Sequence, residues 1–397
     1  MTAEALTILP VQRIRRWHTY LIVWKFHRWL GLAGALVLVV LSLSGSLLVI
    51  HHELDRRLEP GRHTVPTGAT PEIGHAPLAD LAREIGPMAP DGYRLFRIEP
   101  ATTSDETHKI MFLGSDGRTR WSVFAHPRTG EVLWHGYVHS LFTPWLLHLH
   151  MQLQAGRIGY YVTGLAGLCL VLLGLSGLFL YRDRLSALWR HPFRLHLGWR
   201  VALTDLHKWT GVASLYFVII LGLTGTLYVV SILRAEAPPA RASTFDPDAI
   251  APLEPMLAAA RAEIPGTEIL RIQFPSQENG ILSILLLHRS APPWRKFSRV
   301  EFVPATGSLK TIRRAGDASA WKQFSSMLAP LHFGFYGATW VKWAYFFGGL
   351  SPTLLAITGF LIWFRRKRRS SSRAFTADSP QFRAVRVASD PSSGQII

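Results

Sequence analysis

The sequence contains a single cysteine, Cys169. One thiol cannot form a disulfide within the chain, and it cannot supply the thiolate cluster that structural zinc or an iron–sulfur centre requires. Any metal that this protein binds must therefore be held through histidine, of which the chain has 17.

Several nucleotide-binding and catalytic motifs are also missing. No Gly-rich dinucleotide fingerprint follows a predicted strand, and the sequence has neither a Walker sequence nor an HExxH motif. The chain is therefore not expected to bind a nicotinamide itself or to act as a zinc protease. No spacing selects a Ser-His-Asp triad, which leaves hydrolase chemistry a low-ranking alternative.

Acidic residues are scarce. The chain has 26 Asp and Glu residues and 43 Lys and Arg residues, which gives a net charge of +17. In a soluble protein this excess would suggest nucleic acid. Here the basic residues cluster beside the ends of apolar segments, as the positive-inside rule requires, so we predict no nucleic-acid partner. The clusters are Arg13, Arg15, Arg16, Lys25 and Arg28; Arg182, Arg184, Arg190, Arg194 and Arg200; and 365–369.

Four apolar segments are long enough to cross a bilayer of about 30 Å, at residues 27–50, 158–181, 207–233 and 341–364. The first is too long for a signal-peptide core and lacks a cleavage site, so we expect it to remain as an anchor. Charge predicts a multi-pass membrane protein with a cytoplasmic N-terminus (1–26), basic loop (182–206) and disordered tail (365–397). The external parts are then residues 51–144 and 234–330. The second and fourth helices are each preceded by an approach segment, and helix and approach together cover 145–181 and 331–364.

The chain also contains an internal sequence repeat. His27-Arg28-Trp29-Leu30-Gly31 returns 180 residues later as His207-Lys208-Trp209-Thr210-Gly211, and Leu149-His150 returns as Leu331-His332. Each external part combines a helical pattern with several strand patterns, which predicts a small α+β module. The predicted fold class is an α-helical membrane protein with four transmembrane helices in two repeated halves, related by a pseudo-twofold axis along the membrane normal.

The repeated histidines are the candidate metal ligands. Facing imidazoles from His27 and His207 would suit the axial positions of haem b, and Gly31 and Gly211, one turn later, would let the macrocycle lie against backbone. Arg28 and Lys208 carry positive charge suited to haem propionates. The alternative is that these residues belong to the polar belt at the membrane interface.

His150 and His332 form a second candidate pair, for a second haem, although histidine is ordinary in an aqueous helix approach. His148 competes with His150, but its counterpart in the repeat is Pro330. If the second helix ran straight from residue 150 to 181, it would span roughly 46 Å, too far for one electron hop. Tilt, a folded approach or a further carrier would have to shorten that path.

Other residues receive simpler interpretations. The Ser/Thr-Gly steps at Gly45, Gly177, Gly225 and Gly359 are predicted to serve helix packing, because small residues let helices approach closely. His51 has no equivalent in the second half, where Ser231 takes its place, and it is expected to be a solvated surface residue.

The repeated segments 27–45 and 207–225, the two Leu-His approaches and the Thr-Gly turns at Gly130 and Gly307 resemble the PepSY-associated transmembrane helix family. The resemblance covers about 24–364 and implies degenerate PepSY-like periplasmic modules. It also implies ferric siderophore or ferric chelate reduction in the periplasm through haem b, with His27, His207, His150 and His332 as axial ligands. The electron donor would be a quinol or a cytoplasmic reductase. The competing interpretations are a non-redox membrane protein that restrains a periplasmic partner enzyme and, less well supported, a transporter.

Overall fold

A computed structural model describes residues 3–63, 65, 78–103, 105–117, 119–186, 193–234, 251–275, 280–292, 296–336 and 339–377. Within these residues, four helical segments are long and apolar enough to cross a membrane. Their bounds are Trp17–Val49, Gly156–Tyr181, Leu215–Arg234 and Thr339–Arg365. The predicted multi-pass membrane protein is therefore supported in its number of spans.

The first and last helices are longer than the apolar segments that they contain. Helix α1 covers Ala3–Val49, so the described part of the expected N-terminal segment is helical. The last helix covers Thr339–Ala377, and the expected disordered tail at 365–397 was wrong for its first 13 residues. Arg, Lys, Ser and Ala can all continue a helix, and no proline occurs in that stretch. The remainder of the tail lies outside the described residues.

The approach to the second membrane helix is a separate helix. After α1 come α2 (His51–Leu58), α3 (Pro60–His63) and α4 (Leu78–Ile85), and the approach is α5 (Phe142–Gln152), followed by α6 (Gly156–Tyr181). Leu153 and Gln154 between them have φ of 51° and 57°, a left-handed conformation that ends a helix. The chain therefore does not run as one straight helix from residue 150 to 181, and of the expected alternatives the structure contains a separate approach segment.

The third predicted helix is divided as well. Helix α7 covers Trp199–Ala213 and α8 covers Leu215–Arg234, so His207 precedes the apolar span instead of opening it. Ser214 separates them, with φ −93° and ψ 2°, and its hydroxyl donates to the Thr210 carbonyl at 2.7 Å. Such a bond from serine to the preceding turn bends helices.

The strands of both external parts form one antiparallel sheet. Its order is β4-β3-β2-β1-β5-β6-β7-β8, and β1 and β5 join the two sets of four strands through Ile98 and Ile272. The expectation of two separate modules was wrong in this respect. The strands are β1 Arg94–Glu99, β2 His108–Leu113, β3 Arg120–Ala125, β4 Val132–Tyr137, β5 Glu268–Gln273, β6 Leu282–Leu287, β7 Phe297–Phe302 and β8 Leu309–Arg313.

One hydrophobic core lies on one face of this sheet. Helix α4 contributes Leu81 and Ile85, and α9 (Leu253–Glu263) contributes Met256 and Ala260. Side chains alternate between faces along each strand, which is why every second residue is buried in β6. The remaining helices are α10 (Ala320–Ser326), α11 (Leu328–Phe333) and α12 (Thr339–Ala377).

The contacts divide the chain into two compact units. The first unit comprises 1–43, 166–222 and 348–397, and the second comprises 44–165 and 223–347. In the first unit, a Cβ on Gly222 of α8 would lie 2.7 Å from the Gly167 carbonyl oxygen of α6. Two helix backbones approach closely there, which only glycine permits.

We expect Ile272→Ala to destabilise the sheet by about 2–5 kcal/mol, because it removes a fully buried side chain where the two sets of strands join. Thermal unfolding of the detergent-solubilised chain, followed by tryptophan fluorescence, measures the effect. Lys310→Ala, on exposed β8, is the control and should leave the Tm nearly unchanged. Equal Tm values for the two variants would contradict a shared core.

Candidate functional site

The four repeated histidines meet in two pairs, each within one unit. In the first unit, His27 of α1 and His207 of α7 have ring centroids 6.5 Å apart and planes at 87°. In the second unit, His150 of α5 and His332 of α11 have centroids 6.1 Å apart and planes at 43°. We name these the first-unit pair and the second-unit pair. All four side chains are half-buried.

Each ring of the first-unit pair is held through Nδ1. His27 Nδ1 lies 2.9 Å from Ser176 Oγ of α6, and His207 Nδ1 lies 2.8 Å from Thr358 Oγ1 of α12. The two hydrogen bonds occupy matching positions of the repeated halves. Each one ties a histidine to another membrane helix of its own half.

The direction of these hydrogen bonds determines the histidine tautomer. The Thr358 hydroxyl donates to the Leu354 carbonyl at 2.7 Å, and the Ser176 hydroxyl donates to the Leu173 carbonyl at 3.1 Å. Each hydroxyl has only one proton, and the carbonyl accepts it. Toward the histidine the hydroxyl oxygen can therefore only accept a hydrogen bond, so the histidine Nδ1–H is the donor. The Nε2 lone pair of each neutral imidazole is then the one suited to a metal.

The second-unit pair has the same kind of hydrogen bonds, but here α1 and α8 supply the hydroxyls. His150 Nδ1 lies 3.1 Å from Ser44 Oγ of α1, and His332 Nδ1 lies 3.0 Å from Thr224 Oγ1 of α8. The histidines come here from the short approach helices and the hydroxyls from the membrane helices. Each of the four membrane helices therefore contains one Ser-Gly or Thr-Gly pair whose hydroxyl forms a hydrogen bond with a histidine Nδ1.

The glycine of each step lies against the histidine ring. A Cβ on Gly45 would lie 2.8 Å from His150 Cε1, and a Cβ on Gly225 would lie 3.0 Å from His332 Cε1. The corresponding distances from Gly177 to His27 and from Gly359 to His207 are both 3.4 Å. Helix packing was the role predicted for these glycines, and the structure adds that each one lies against an imidazole ring.

The separations fit axial ligation of one metal by two imidazoles. Metal–imidazole bonds are about 2.0 Å long in zinc sites, and a ring nitrogen lies about 1.1 Å from its ring centroid. Two coaxial imidazoles on one metal therefore have centroids about 6 Å apart, close to the observed 6.5 and 6.1 Å. The residues fit a haem, because the porphyrin would supply the four other ligands.

A bare metal ion fits these pairs less well. In the described part of the chain, no group of three or more His, Cys, Asp and Glu side chains is arranged to hold an ion. Two imidazoles alone fill only about half of the roughly four coordination positions that zinc has in protein sites. The donor set therefore favours a metal that arrives with its own macrocycle.

A half-buried arginine is adjacent in sequence to His27 of the first-unit pair. Arg28 follows His27, and its guanidinium lies over the rings of Trp24 and Trp29 at 4.6 and 4.9 Å. Arg28 Nε is buried without a hydrogen-bond partner, which is costly unless a ligand such as a carboxylate receives it. This is the kind of group that a haem propionate would satisfy.

The structure places the other predicted residues less specifically. A Cβ on Gly31 would make an ordinary contact of 3.6 Å with Leu173, and one on Gly211 a contact of 3.7 Å with Leu355. His148, the rival of His150, lies 5.2 Å from His139 by ring centroids and has its Nδ1 3.1 Å from Gln152 Nε2. Burial and the nearby His139 lower the pKa of His148.

Sequence reasoning missed Ser44, Ser176, Thr224 and Thr358 as partners of the histidines. The signal was nevertheless present, since each residue precedes a glycine and recurs in the repeat at the same intervals as the histidines. The sequence pattern does not indicate which histidine forms a hydrogen bond with which hydroxyl. Those partners lie more than 100 residues apart along the chain.

Comparison with known proteins places this architecture among membrane proteins of one family. Residues 24–366 match the family described as PepSY-associated TM region, and this match includes all four paired histidines. The chain is 28% identical over 250 residues to the uncharacterized protein PA4219 of Pseudomonas aeruginosa. That alignment covers 56% of this chain and 63% of the relative, so the chain spans less than two thirds of the relative's length.

We expect Gly45→Ala to destabilise the protein and Gly31→Ala to leave it unchanged or slightly more stable. Alanine improves helix propensity by about 1 kcal/mol at either position. Overpacking costs about 1–3 kcal/mol and applies only at Gly45, where the added Cβ would lie 2.8 Å from His150. Thermal unfolding in detergent measures both variants.

A double-mutant cycle shows whether the histidine causes this loss. In a His150→Ala background the clash is gone, so Gly45→Ala should no longer lower the Tm. A loss of equal size in both backgrounds would show that Gly45 faces something other than His150.

Proposed function

The chain belongs to the PepSY-associated TM region family, and from that premise and the two histidine pairs we propose that it is a haem-containing electron-transfer protein of the bacterial inner membrane. Its proposed activity is reduction of a ferric siderophore or another ferric chelate on the periplasmic side. The N- and C-termini would be cytoplasmic and the sheet periplasmic, as the distribution of arginine and lysine favours.

The main observation that supports this proposal is that four histidine side chains lie in two pairs, with each ring hydrogen-bonded at Nδ1. Each ring has its Nδ1 against a hydroxyl, and each pair has the separation expected for two axial ligands. An imidazole whose Nδ1–H donates to a neighbouring oxygen is held in one orientation and is a better metal ligand at Nε2. A merely solvated histidine needs no such partner.

Two haem b groups bound there would supply one-electron transfer chemistry. The protein's own residues would set the conditions for it. The hydroxyls of Ser176 and Thr358 orient the imidazoles of the first-unit pair, and Arg28, whose Nε is buried without a hydrogen-bond partner, would offer a cation to a propionate. The second-unit pair, carried on α5 and α11, lies in the same compact unit as the sheet.

The net reaction is the transfer of one electron to the chelate, which converts Fe(III) to Fe(II). The electron would come from a quinol or a cytoplasmic reductase. Siderophore oxygens are hard ligands that hold Fe(II) less tightly than Fe(III), so reduction releases the iron. No proton transfer or bond cleavage by a side chain is required.

We expect protein purified from haem-sufficient cells to show a dithionite-reduced b-type absorption band. His207→Ala and His332→Ala should each lose about half of the bound haem, since each removes one axial ligand from a different pair. His51→Ala is the matched control, because His51 stacks on His52 and belongs to neither pair. A colourless wild-type protein would overturn the proposal and leave the non-redox alternative, in which the sheet binds a periplasmic partner enzyme.

We also expect Thr358→Val to shift the reduction potential of one haem to a more positive value, on the order of tens of mV. Valine keeps the shape of threonine but cannot accept the His207 Nδ1–H, so the imidazole becomes a weaker donor and stabilises Fe(III) less. Potentiometric titration followed by absorption measures the shift. Thr353→Val on the same helix is the control, since Thr353 bonds Ser42 instead, and an identical shift in that variant would contradict the assigned role of Thr358.

A further inference from the structure

The face of the sheet opposite the hydrophobic core carries a positively charged cleft. Arg97 of β1, Arg271 of β5 and Arg299 of β7 line it, together with Gln273, Ser283 and Leu285. Its volume is about 200 Å³ and it is partly open. That size suits one anionic portion of a larger molecule that remains partly in solvent.

Strand register places these side chains on one face. Arg271 pairs with Leu285 across β5 and β6, and Leu285 pairs with Arg299 across β6 and β7. Directly paired residues project to the same side of a sheet. Arg97 pairs with Gln273 in the neighbouring row and donates from Nε to its side-chain oxygen at 3.0 Å.

The charge of the cleft is incompletely neutralised. Glu99 bonds both Arg97 and Arg271, at 3.4 and 3.2 Å. Arg299 is exposed and makes no ion pair within the described residues. Arg97 and Arg271 therefore share the Glu99 carboxylate, and Glu301, which lies on the same face two residues after Arg299, is paired with Arg313.

The environment of Arg97 agrees with a site that needs an anion. Burial and the adjacent Arg271 lower the pKa of Arg97 to about 10, although Glu99 opposes the shift. The group stays protonated at neutral pH. A bound anion would relieve this repulsion among guanidinium groups, and a planar guanidinium suits the two oxygens of a carboxylate.

We propose that this cleft binds the carboxylate groups of an anionic ferric chelate and so selects negatively charged chelates over positively charged ones. This inference rests on the proposed function, which it extends to the substrate class. The amide of Gln273 and the hydroxyl of Ser283 supply neutral hydrogen bonds beside the cations, while Leu285 contributes an apolar surface. The cleft belongs to the same compact unit as the second-unit pair.

The test uses the full-length protein in detergent and the redox-inert chelate gallium(III) citrate, with binding measured by isothermal titration calorimetry. We expect Arg299→Gln to weaken binding about ten- to hundredfold, as for the loss of a charge-assisted hydrogen bond. Arg83→Gln is the matched control, because Arg83 is an exposed arginine of α4, which packs on the opposite face. It should leave the affinity within about twofold.

Three results would overturn the assignment. The first is unchanged affinity in Arg299→Gln, and the second is equal affinity for the positively charged gallium complex of desferrioxamine B. The third is displacement of gallium citrate by an equal concentration of inorganic phosphate or of citrate alone, which would indicate a general oxyanion site.

The same protein sample separates this inference from the proposed function. Gallium binding requires neither haem nor electron transfer. Protein that binds gallium citrate through Arg299 but contains no haem would support the cleft and refute the reductase. Protein with both haem sites and no measurable gallium citrate binding would refute the cleft alone.

Discussion

The hydrogen bond between a histidine Nδ1 and a Ser or Thr hydroxyl is the interaction on which this candidate site depends. It occurs four times, and each time the glycine that follows the hydroxyl residue leaves room for the ring. An imidazole without such a partner could rotate about its side-chain torsions. The hydrogen bond orients the ring, and for His27 and His207 it also sets the tautomer, so that two such rings can face one metal.

The short approach helices follow from the same constraint. His150 must reach Ser44 near the end of α1, which a continuous second helix would not allow. The left-handed residues Leu153 and Gln154 interrupt the helix and turn α5 away from the direction of α6. Gly334, with φ 74°, ends α11 after His332 in the second half. Conformations that cost energy in an isolated chain are thus found where a histidine has to be positioned.

The two faces of the sheet differ in the side chains that they carry. In β6, Leu282, Ile284 and Leu286 face the core under α4 and α9, whereas the arginines of β5 and β7 lie on the other face. Joining both external segments through β1 and β5 brings Arg97 next to Arg271, which lie 174 residues apart. Two separate modules would each have left an unpaired edge strand and would have kept these cations apart.

Much of the architecture could be predicted from local pattern. Long apolar runs identified the membrane helices, because a bilayer demands a minimum length, and the repeat identified His27, His207, His150 and His332 as equivalent pairs. Strand patterns also predicted a mixed helix and strand structure for both external parts, where the strands are found. The division of the third helix at Ser214 was missed, since one serine within an apolar run gives no strong signal.

The sequence by itself determined the membrane class, the repeat and the histidine pairs, because these depend on composition and spacing along the chain. Only the tertiary structure decided which hydroxyl holds which histidine, that both external parts share one sheet, and that three arginines line one cleft. Each of these contacts joins residues far apart in the sequence, and helix packing or strand pairing brings them together. No local period records such a contact.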